Sequence, residues 1–303
     1  MITKYLDPKN DVCFKRVFGT EKNKNIVIHF INDVMNFKGG DVITDVQFLS
    51  PDLAPDIASK KQSMVDVLCQ AVDGSKIIIE MRVARTKCFE KRAQFYASKA
   101  YSNQLNKGQE EDGLYENLKQ VIFIAITDYV MFPKKKGYIS RHKMLDELTY
   151  ENDLEDFSFT FVELPKFKKE EVSELKTMLE QWCYFFKKAK ISSPEEVEKI
   201  VSSNQVLKQA YDEVSSFNWS EKEMESYEAA LKIMRDNRAI NDQVRHGGEK
   251  IGIKKGIKIG IEKGIEKTMY NVIKIMYGNG QSLENIAKNT GLSVDKVKEI
   301  SGQ

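Results

Sequence analysis

The stretch MVDVLCQAVDGSKIIIEMRV, residues 64–83, decides the fold. Two segments rich in apolar and β-branched residues, 63–71 and 76–84, flank the dipeptide Asp73-Gly74. This dipeptide favours a tight connection between antiparallel strands. The stretch therefore predicts a β-hairpin, and each of its two strands carries one acidic residue inside an otherwise apolar run.

The length of the connection decides where these two acids, Asp66 and Glu80, lie. A two-residue turn would place their carboxylates on opposite faces of the sheet, because side chains alternate along a strand. A three-residue loop with Gly74 in the left-handed region pairs Asp66 with Glu80 on one face. In that register Arg82 follows on the same face and adds a positive charge that can contact a phosphate.

Directly opposed carboxylates repel each other, so folding alone does not favour this pair. A bound divalent cation removes the objection. Two hard oxygen donors suit magnesium, with manganese as the alternative ion, and water and a substrate phosphate complete the coordination. An acid inside a buried strand is also costly unless it has a function. The alternative is that both acids are ordinary solvated residues on the wet face of an antiparallel ribbon.

Helical and strand patterns surround the hairpin. Apolar residues recur at helical spacing over 10–35, and Gly19 with the polar stretch 20–25 divides them into two helices. Further along, we expect a strand at 41–50, a helix over 89–105, a buried strand at 121–127, and strands at 139–148 and 157–164. After Pro165 only helices are expected, over 170–190, 194–217 and 220–245. This order predicts an α/β core with a helical extension.

The composition excludes several classes of protein. Across 303 residues, 47 Lys and Arg against 45 Asp and Glu give a net charge of +2, which disfavours a protein that coats nucleic acid but not a local basic patch. No apolar run reaches the ~18 residues of a membrane span, and the amino terminus has no signal-peptide core, so a cytoplasmic protein is expected. The scattered cysteines and histidines match neither a zinc site nor a disulfide framework.

These residues resemble a known family. The hairpin stretch followed by FEKRAQFYASKAYSNQLNKG, residues 89–108, resembles the core of PD-(D/E)XK nucleases, and in particular the recombination-promoting nuclease/transposase family. LDPKNDVCFKRVFG at 6–19, FTFVELPKF at 159–167 and the glycine-rich tail agree with it. The resemblance implies a restriction-endonuclease-like core, with a mixed four-stranded sheet flanked by helices. It also implies magnesium-dependent hydrolysis of DNA phosphodiester bonds.

The resemblance also assigns roles to single residues. It carries Asp66 onto the motif aspartate, Glu80 onto the motif acid, and Asp11 onto a first-helix acid that assists the metal in relatives. The alternative for Asp11 is a helix amino-terminal carboxylate that interacts with the macrodipole. Arg82 stands where the superfamily has lysine and this family usually has glutamine. Because arginine stays protonated and cannot deprotonate water, the alternative is a weakened or inactive nuclease-fold protein that binds DNA or oligomerises.

The helix after the hairpin offers a second set of candidates. Arg92, Tyr96 and Lys99 follow one another at helical spacing and share a face. If that face overlooks Glu80, the two cations can hold phosphates and the tyrosine can stack on a base. The alternative is a solvated face with an amphipathic tyrosine.

The last 60 residues contain a repeat and a helix pair. Glycines recur every four residues from Gly248 to Gly264, and isoleucine follows each of the last four. Glycine costs about 1 kcal/mol relative to alanine inside a helix. The segment is therefore either a flexible linker or a helix that packs against a partner. QSLENIAKNTGLSVDKVKEIS, residues 281–301, predicts two short helices around Gly291 that favour packing or oligomerisation, with DNA recognition as the alternative.

These boundaries divide the chain into a nuclease-like core over 1–168, a helical extension over 169–245, the glycine tetrads over 246–268 and a helix-turn-helix-like tail over 269–303. The expected partners are DNA and a second copy of the chain, bound through the carboxyl-terminal region. No membrane partner is expected.

Overall fold

The structure is a computed structural model, and it describes residues 4–53, 63–105, 114–202 and 204–302. The chain forms two compact units, Met1–Asn237 and Arg238–Gln303. The helices of the described residues are α1 (Asp11–Phe18), α2 (Lys24–Met35), α3 (Phe89–Ser102), α4 (Met178–Lys188), α5 (Pro194–Val201), α6 (Gln205–Glu213), α7 (Glu221–Gly278), α8 (Leu283–Thr290) and α9 (Val294–Ser301). The strands are β1 (Val46–Phe48), β2 (Asp52–Leu53), β3 (Ser63–Met64), β4 (Val67–Ala71), β5 (Lys76–Arg82), β6 (Val121–Thr127), β7 (Ile139–Lys143) and β8 (Phe157–Glu163).

A mixed sheet in the order β1-β4-β5-β6-β8-β7 forms the centre of the first unit. Strands β5, β6 and β8 are parallel neighbours, while β4 runs antiparallel to β5. The α/β class and the mixed, helix-flanked sheet are confirmed. The sheet has six strands and not four, because β1 and β7 pair antiparallel along its two edges. Strands β2 and β3 form a separate two-stranded ladder.

The hairpin has the three-residue loop. Strands β4 and β5 pair Val67 with Ile79, and the Ala71 amide donates to the Ser75 carbonyl at 2.9 Å. Gly74 has a φ of +92°, a conformation that glycine adopts without steric cost. Extended by one residue beyond Val67, this register places Asp66 opposite Glu80, as the three-residue alternative requires.

The two faces of the sheet have separate cores. Ile77 and Ile79 of β5 pack with α1, α2 and α4, whereas Ile78 packs with α3 and with Phe123 of β6. All seven residues of β6 are buried, which confirms a central strand covered on both faces. Since side chains alternate along β5, Glu80 and Arg82 share the face of Ile78. Helix α3 therefore covers the face that carries the acidic pair.

Several expected elements are shorter or divided. The strand expected at 41–50 contains only β1, and the one expected at 139–148 ends at Lys143. The carboxylate of Asp146 accepts the amides of Leu148 and Thr149 and so forms a turn there. The helix expected over 194–217 divides into α5 and α6, because the side chain of Asn204 caps the start of α6.

Helix α7 runs on through the glycine tetrads, which are helical in the structure. In the second unit, α8 and α9 lie where two short helices are predicted, and Gly291 ends α8 with a φ of +73°. Ile273, Ile286 and Val297 form the small core that joins them to the end of α7. Within the described residues, no helix has a stretch both long and apolar enough to cross a lipid bilayer.

Candidate active site

The hairpin brings Asp66 and Glu80 into direct contact. Asp66 lies just before β4, and its amide donates to Oε1 of Glu80 at 3.3 Å. In return, Oδ2 of Asp66 accepts the amide of Met81 at 2.9 Å. The Glu80 side chain is fully buried. Backbone and side-chain bonds thus hold the two carboxyl groups together at one end of the hairpin.

Arg82 lies against this pair. Its Nη2 forms a salt bridge with Oε2 of Glu80, and its guanidinium lies 5.7 Å from the ring centroid of Phe89 on α3. The Nε atom of Arg82 is buried and has no hydrogen-bond partner among the described residues. The arginine therefore neutralises Glu80 while one of its donors remains unused.

Burial disfavours the ionised form of both acids. It raises the pKa of Glu80 to about 7, and the negative charge of Asp66 contributes to the rise, while Arg82 and Arg92 work against it. Burial also raises the pKa of Asp66, although Arg82 lowers it in part. Burial opposes the charge on Arg82, but Glu80 and Asp66 outweigh that effect and raise the pKa of Arg82. A bound cation would favour the ionised form of both acids, because its charge offsets the cost of burying theirs.

The donor set fits a magnesium or manganese ion held by few protein ligands. Among the residues that the structure describes, no group of three or more His, Cys, Asp and Glu side chains is arranged to hold a metal. Mg²⁺ is commonly bound by one or two carboxylates, with water and substrate phosphate as the remaining ligands. Asp66 and Glu80 are the two carboxylates that could hold such an ion here. The salt bridge from Arg82 occupies one oxygen of Glu80 and competes with a cation for it.

Asp11 has a different setting from the other two acids. It is the first residue of α1, where Asn10 caps the helix, and it forms an ion pair with Lys15 at 3.0 Å. Burial is the main cause that raises the pKa of Asp66, and the charge of Asp11 adds to it, so Asp11 acts on the pair electrostatically. No hydrogen bond joins Asp11 to either acid among the described residues. Its role as a metal ligand stays a prediction.

On helix α3 the side chain of Arg92 is half-buried, whereas the ring of Tyr96 is buried. The guanidinium of Arg92 lies 5.3 Å from the ring centroid of Phe89 and 5.5 Å from that of Tyr96. Its Nε and Nη2 atoms are buried and have no hydrogen-bond partner among the described residues. Tyr96 is only 9% exposed, because its ring packs in the core between α3 and the sheet. It supports Arg92 and offers no open face to a base. Lys99 lies over the exposed ring of Phe95.

Tyr129 is a site residue that the sequence did not indicate. It follows β6, and its hydroxyl is buried without a hydrogen-bond partner among the described residues. Burial raises the pKa of Tyr129, while the positive charges of Arg82 and Arg92 lower it. Functional groups often lie at the carboxyl ends of parallel strands. The position of Tyr129 just after such an end is the sequence signal that could have indicated it.

Glu163 fixes the loop that carries this tyrosine. The register aligns Arg82 with Thr127 and Thr127 with Glu163 across three parallel strands. Glu163 is fully buried, and its Oε1 accepts the amides of Met131 and Phe132 at 2.6 and 3.0 Å. Its Oε2 pairs with Lys166 at 2.6 Å. The segment after β6 is therefore anchored beside the acidic pair.

Comparison with known proteins gives one match. A family model described as PD-(D/E)XK nuclease family transposase matches residues 8–244, which include α1, the acidic hairpin, α3 and the whole sheet. A search of curated proteins and a search of solved structures each returned no match.

Proposed function

The chain belongs to the PD-(D/E)XK nuclease family transposases, and from that membership we propose that it hydrolyses DNA phosphodiester bonds with magnesium at Asp66 and Glu80. The observation that carries the proposal is the contact between these two acids at the end of the hairpin, one of them fully buried. Such a pair is costly in a folded protein without a cation. A role in recombination or in the movement of mobile elements is part of the same proposal.

Each neighbouring group has a place in this reaction. Asp66 and Glu80 hold the divalent cation, which when bound supplies Lewis-acid activation of water and offsets charge on the phosphate. The Met81 amide keeps the carboxylate of Asp66 in position. The guanidinium nitrogens of Arg82 and Arg92 that have no partner among the described residues suit the non-bridging oxygens of a phosphate.

Tyr129 can add a neutral donor to these two cations, since its hydroxyl is buried without a partner among the described residues and the charges of both arginines act on its pKa. No side chain needs to form a covalent intermediate, because water is the nucleophile. The reaction class is metal-assisted hydrolysis with electrostatic stabilisation of the phosphoryl group.

A second function is favoured by one contact. Arg82 forms a salt bridge with the same Glu80 carboxylate that would hold the metal. A resident cation at that oxygen lowers the affinity for a divalent ion and cannot accept a proton from water. The alternative proposal is a nuclease-fold protein that binds DNA through its cationic groups and cuts it slowly or not at all.

The test is the nicking of supercoiled plasmid with magnesium or manganese, using the full chain and the variants Asp66→Ala and Glu80→Ala. The matched control is Asp45→Ala, which removes an exposed acid that pairs with Lys24 at the turn end of the hairpin. Loss of nicking in the two site variants but not in the control supports the nuclease. Equal nicking by all four proteins contradicts it.

DNA binding separates the two functions. Fluorescence anisotropy with labelled duplex DNA measures binding whether or not cutting occurs. A wild-type chain that binds duplex DNA but does not nick the plasmid with either metal supports the non-cutting alternative. Calorimetry tests whether the cation binds at the proposed site. The nuclease proposal expects magnesium binding for the wild-type chain and not for Glu80→Ala.

A further inference from the structure

Helix α7 contains four consecutive tetrads, GIKKGIKIGIEKGIEK, at residues 252–267. Residues four apart lie next to one another on a helix, so each tetrad position forms a row along the surface. The first row is all glycine and the second is all isoleucine. The third row, next to the isoleucines, reads Lys254, Lys258, Glu262, Glu266.

Among the residues that the structure describes, none packs closely over the isoleucine and glycine rows. The four isoleucines are between 58 and 62% exposed: Ile253, Ile257, Ile261 and Ile265. A Cβ atom added at any glycine of the first row would meet no atom within 4 Å. Each such glycine costs the helix about 1 kcal/mol relative to alanine. Intramolecular packing among the described residues therefore explains neither the exposed apolar row nor the missing side chains beside it.

The order of charges in the third row is also unfavourable in a single helix. Lys254 and Lys258 are four residues apart and repel each other, as do Glu262 and Glu266. The first half of the row is positive and the second half is negative. Such a row complements an identical row that runs in the opposite direction.

We propose that this face of α7 binds a second copy of the same chain as an antiparallel helix pair, with the two-fold axis at Gly260. This assembly does not depend on nuclease activity. In a two-fold interface, each contact between residues i and j occurs twice. With the axis at Gly260, Lys258 lies opposite Glu262 of the second copy, and Lys254 lies opposite its Glu266. All four charges of the row are then paired with opposite charges.

The same axis accommodates the other two rows. The isoleucine rows interleave, because Ile261 falls between the levels of Ile261 and Ile257 of the second copy. Gly256 lies level with Gly264 of the second copy, and Gly260 with its own equivalent. Absent side chains on that flank allow the two backbones to approach closely, which accounts for the glycines. A parallel pair in register places the charged row beside the glycine row of its partner, where the order of the charges has no consequence.

A groove in the second unit extends this face. It has a volume of about 570 Å³ and lies between α7 and the end of α8, with Ile261, Ile265 and Met269 in its wall. Met269 lies four residues after Ile265 and so continues the isoleucine row by one more turn. Four residues on a helix turn by ~40° beyond one full turn, so the two helices wrap around each other to keep the rows in contact.

The experiment measures self-association of the full chain by sedimentation equilibrium. The wild type is expected to be dimeric. The double variant Lys254→Glu, Lys258→Glu makes the whole row acidic and is expected to weaken the dimer by at least about tenfold, since it creates four repelling pairs. The quadruple variant that also carries Glu262→Lys and Glu266→Lys reverses the row and is expected to restore the dimer.

The matched control is Lys255→Glu, Lys263→Glu, which changes the net charge equally on the opposite side of the helix and should leave the dimer intact. Orientation is tested by disulfide trapping in a Cys88→Ser background. Lys254→Cys alone should not cross-link, whereas a mixture of Lys254→Cys and Glu266→Cys chains should. A monomeric wild type, a charge reversal that fails to restore the dimer, or efficient cross-linking of Lys254→Cys alone would overturn the proposal.

Discussion

Replacing Glu80 with glutamine should change how the stability of the metal-free protein depends on pH. The pKa of Glu80 is raised to about 7, mainly by burial and then by the charge of Asp66, from an ordinary value of 4.5. One pKa unit corresponds to about 1.4 kcal/mol. Ionised Glu80 therefore costs the folded protein roughly 3 kcal/mol of its free energy of unfolding.

The direction of this pH dependence follows from which state, folded or unfolded, keeps the proton on Glu80. Below pH 4.5 the carboxyl group is protonated in both states, so it has no effect. Between pH 4.5 and 7 the unfolded chain releases the proton while the folded chain retains it, so stability falls as the pH rises. Above pH 7 both states are ionised and the full cost of about 3 kcal/mol applies. Glu80→Gln has no such titration.

The assay is urea unfolding of both proteins with a chelator present, at pH 5 and at pH 8. The stability of Glu80→Gln relative to wild type should increase by about 2 to 3 kcal/mol between these two values. Bonds to the neutral acid that the amide cannot reproduce cancel in this comparison, and the change in the Arg82 interaction on ionisation is already included in the pKa of Glu80. A difference that stays constant across the range would show that the buried acid is not destabilised, and the reasoning would fail.

A matched control comes from the second buried glutamate of the sheet. Glu163→Gln makes the same chemical change at a fully buried site, but this carboxylate accepts two backbone amides and pairs with Lys166. Its replacement should destabilise the protein by about 1 to 3 kcal/mol, because these donors lose a charged acceptor.

Magnesium at pH 8 should stabilise the wild type more than Glu80→Gln, since only the wild type retains both carboxylates.

Three further outcomes are expected. Arg82→Gln removes the cation that competes for Glu80, so calorimetry should show magnesium binding at least about tenfold tighter; unchanged affinity would contradict the competition. Gly74→Ala should cost about 1 to 2 kcal/mol in unfolding experiments, because the φ of +92° is strained for alanine and the new Cβ would lie 2.9 Å from Cγ of Lys119; an unchanged midpoint would contradict the turn. A thiol reagent should label one cysteine per native chain, Cys88, and all four after unfolding, since the other three are buried; native labelling of a second cysteine would contradict the fold.

Local sequence predicted the hairpin but left two lengths of its connection open. The structure has the three-residue loop with Gly74 left-handed, and alternation along the two strands then pairs Asp66 with Glu80. The contact of Arg82 with Glu80 follows from the same alternation. These features involve residues fewer than twenty positions apart, where turn geometry decides the outcome.

The parts that local sequence did not predict depend on long-range pairing. Tyr129 and Glu163 reach the site only because β6 and β8 lie parallel to β5, and no local pattern states which strands become neighbours. Tyr96 has the spacing of a solvent-facing residue, but the packing of α3 on the sheet buries its ring. The tetrads are helical although glycine has a low helix propensity.

The loop at 72–74 has a consequence for how such proteins are classified and how they diverge. Both acids would survive the insertion or deletion of one residue in this loop, yet their side chains would point to opposite faces of the sheet. A homologue with that single length change would retain both acidic residues of the motif and lose their pairing on one face. The proposed activity thus depends partly on spacing, and an insertion or deletion in an exposed turn is expected to abolish it as completely as the loss of an acid.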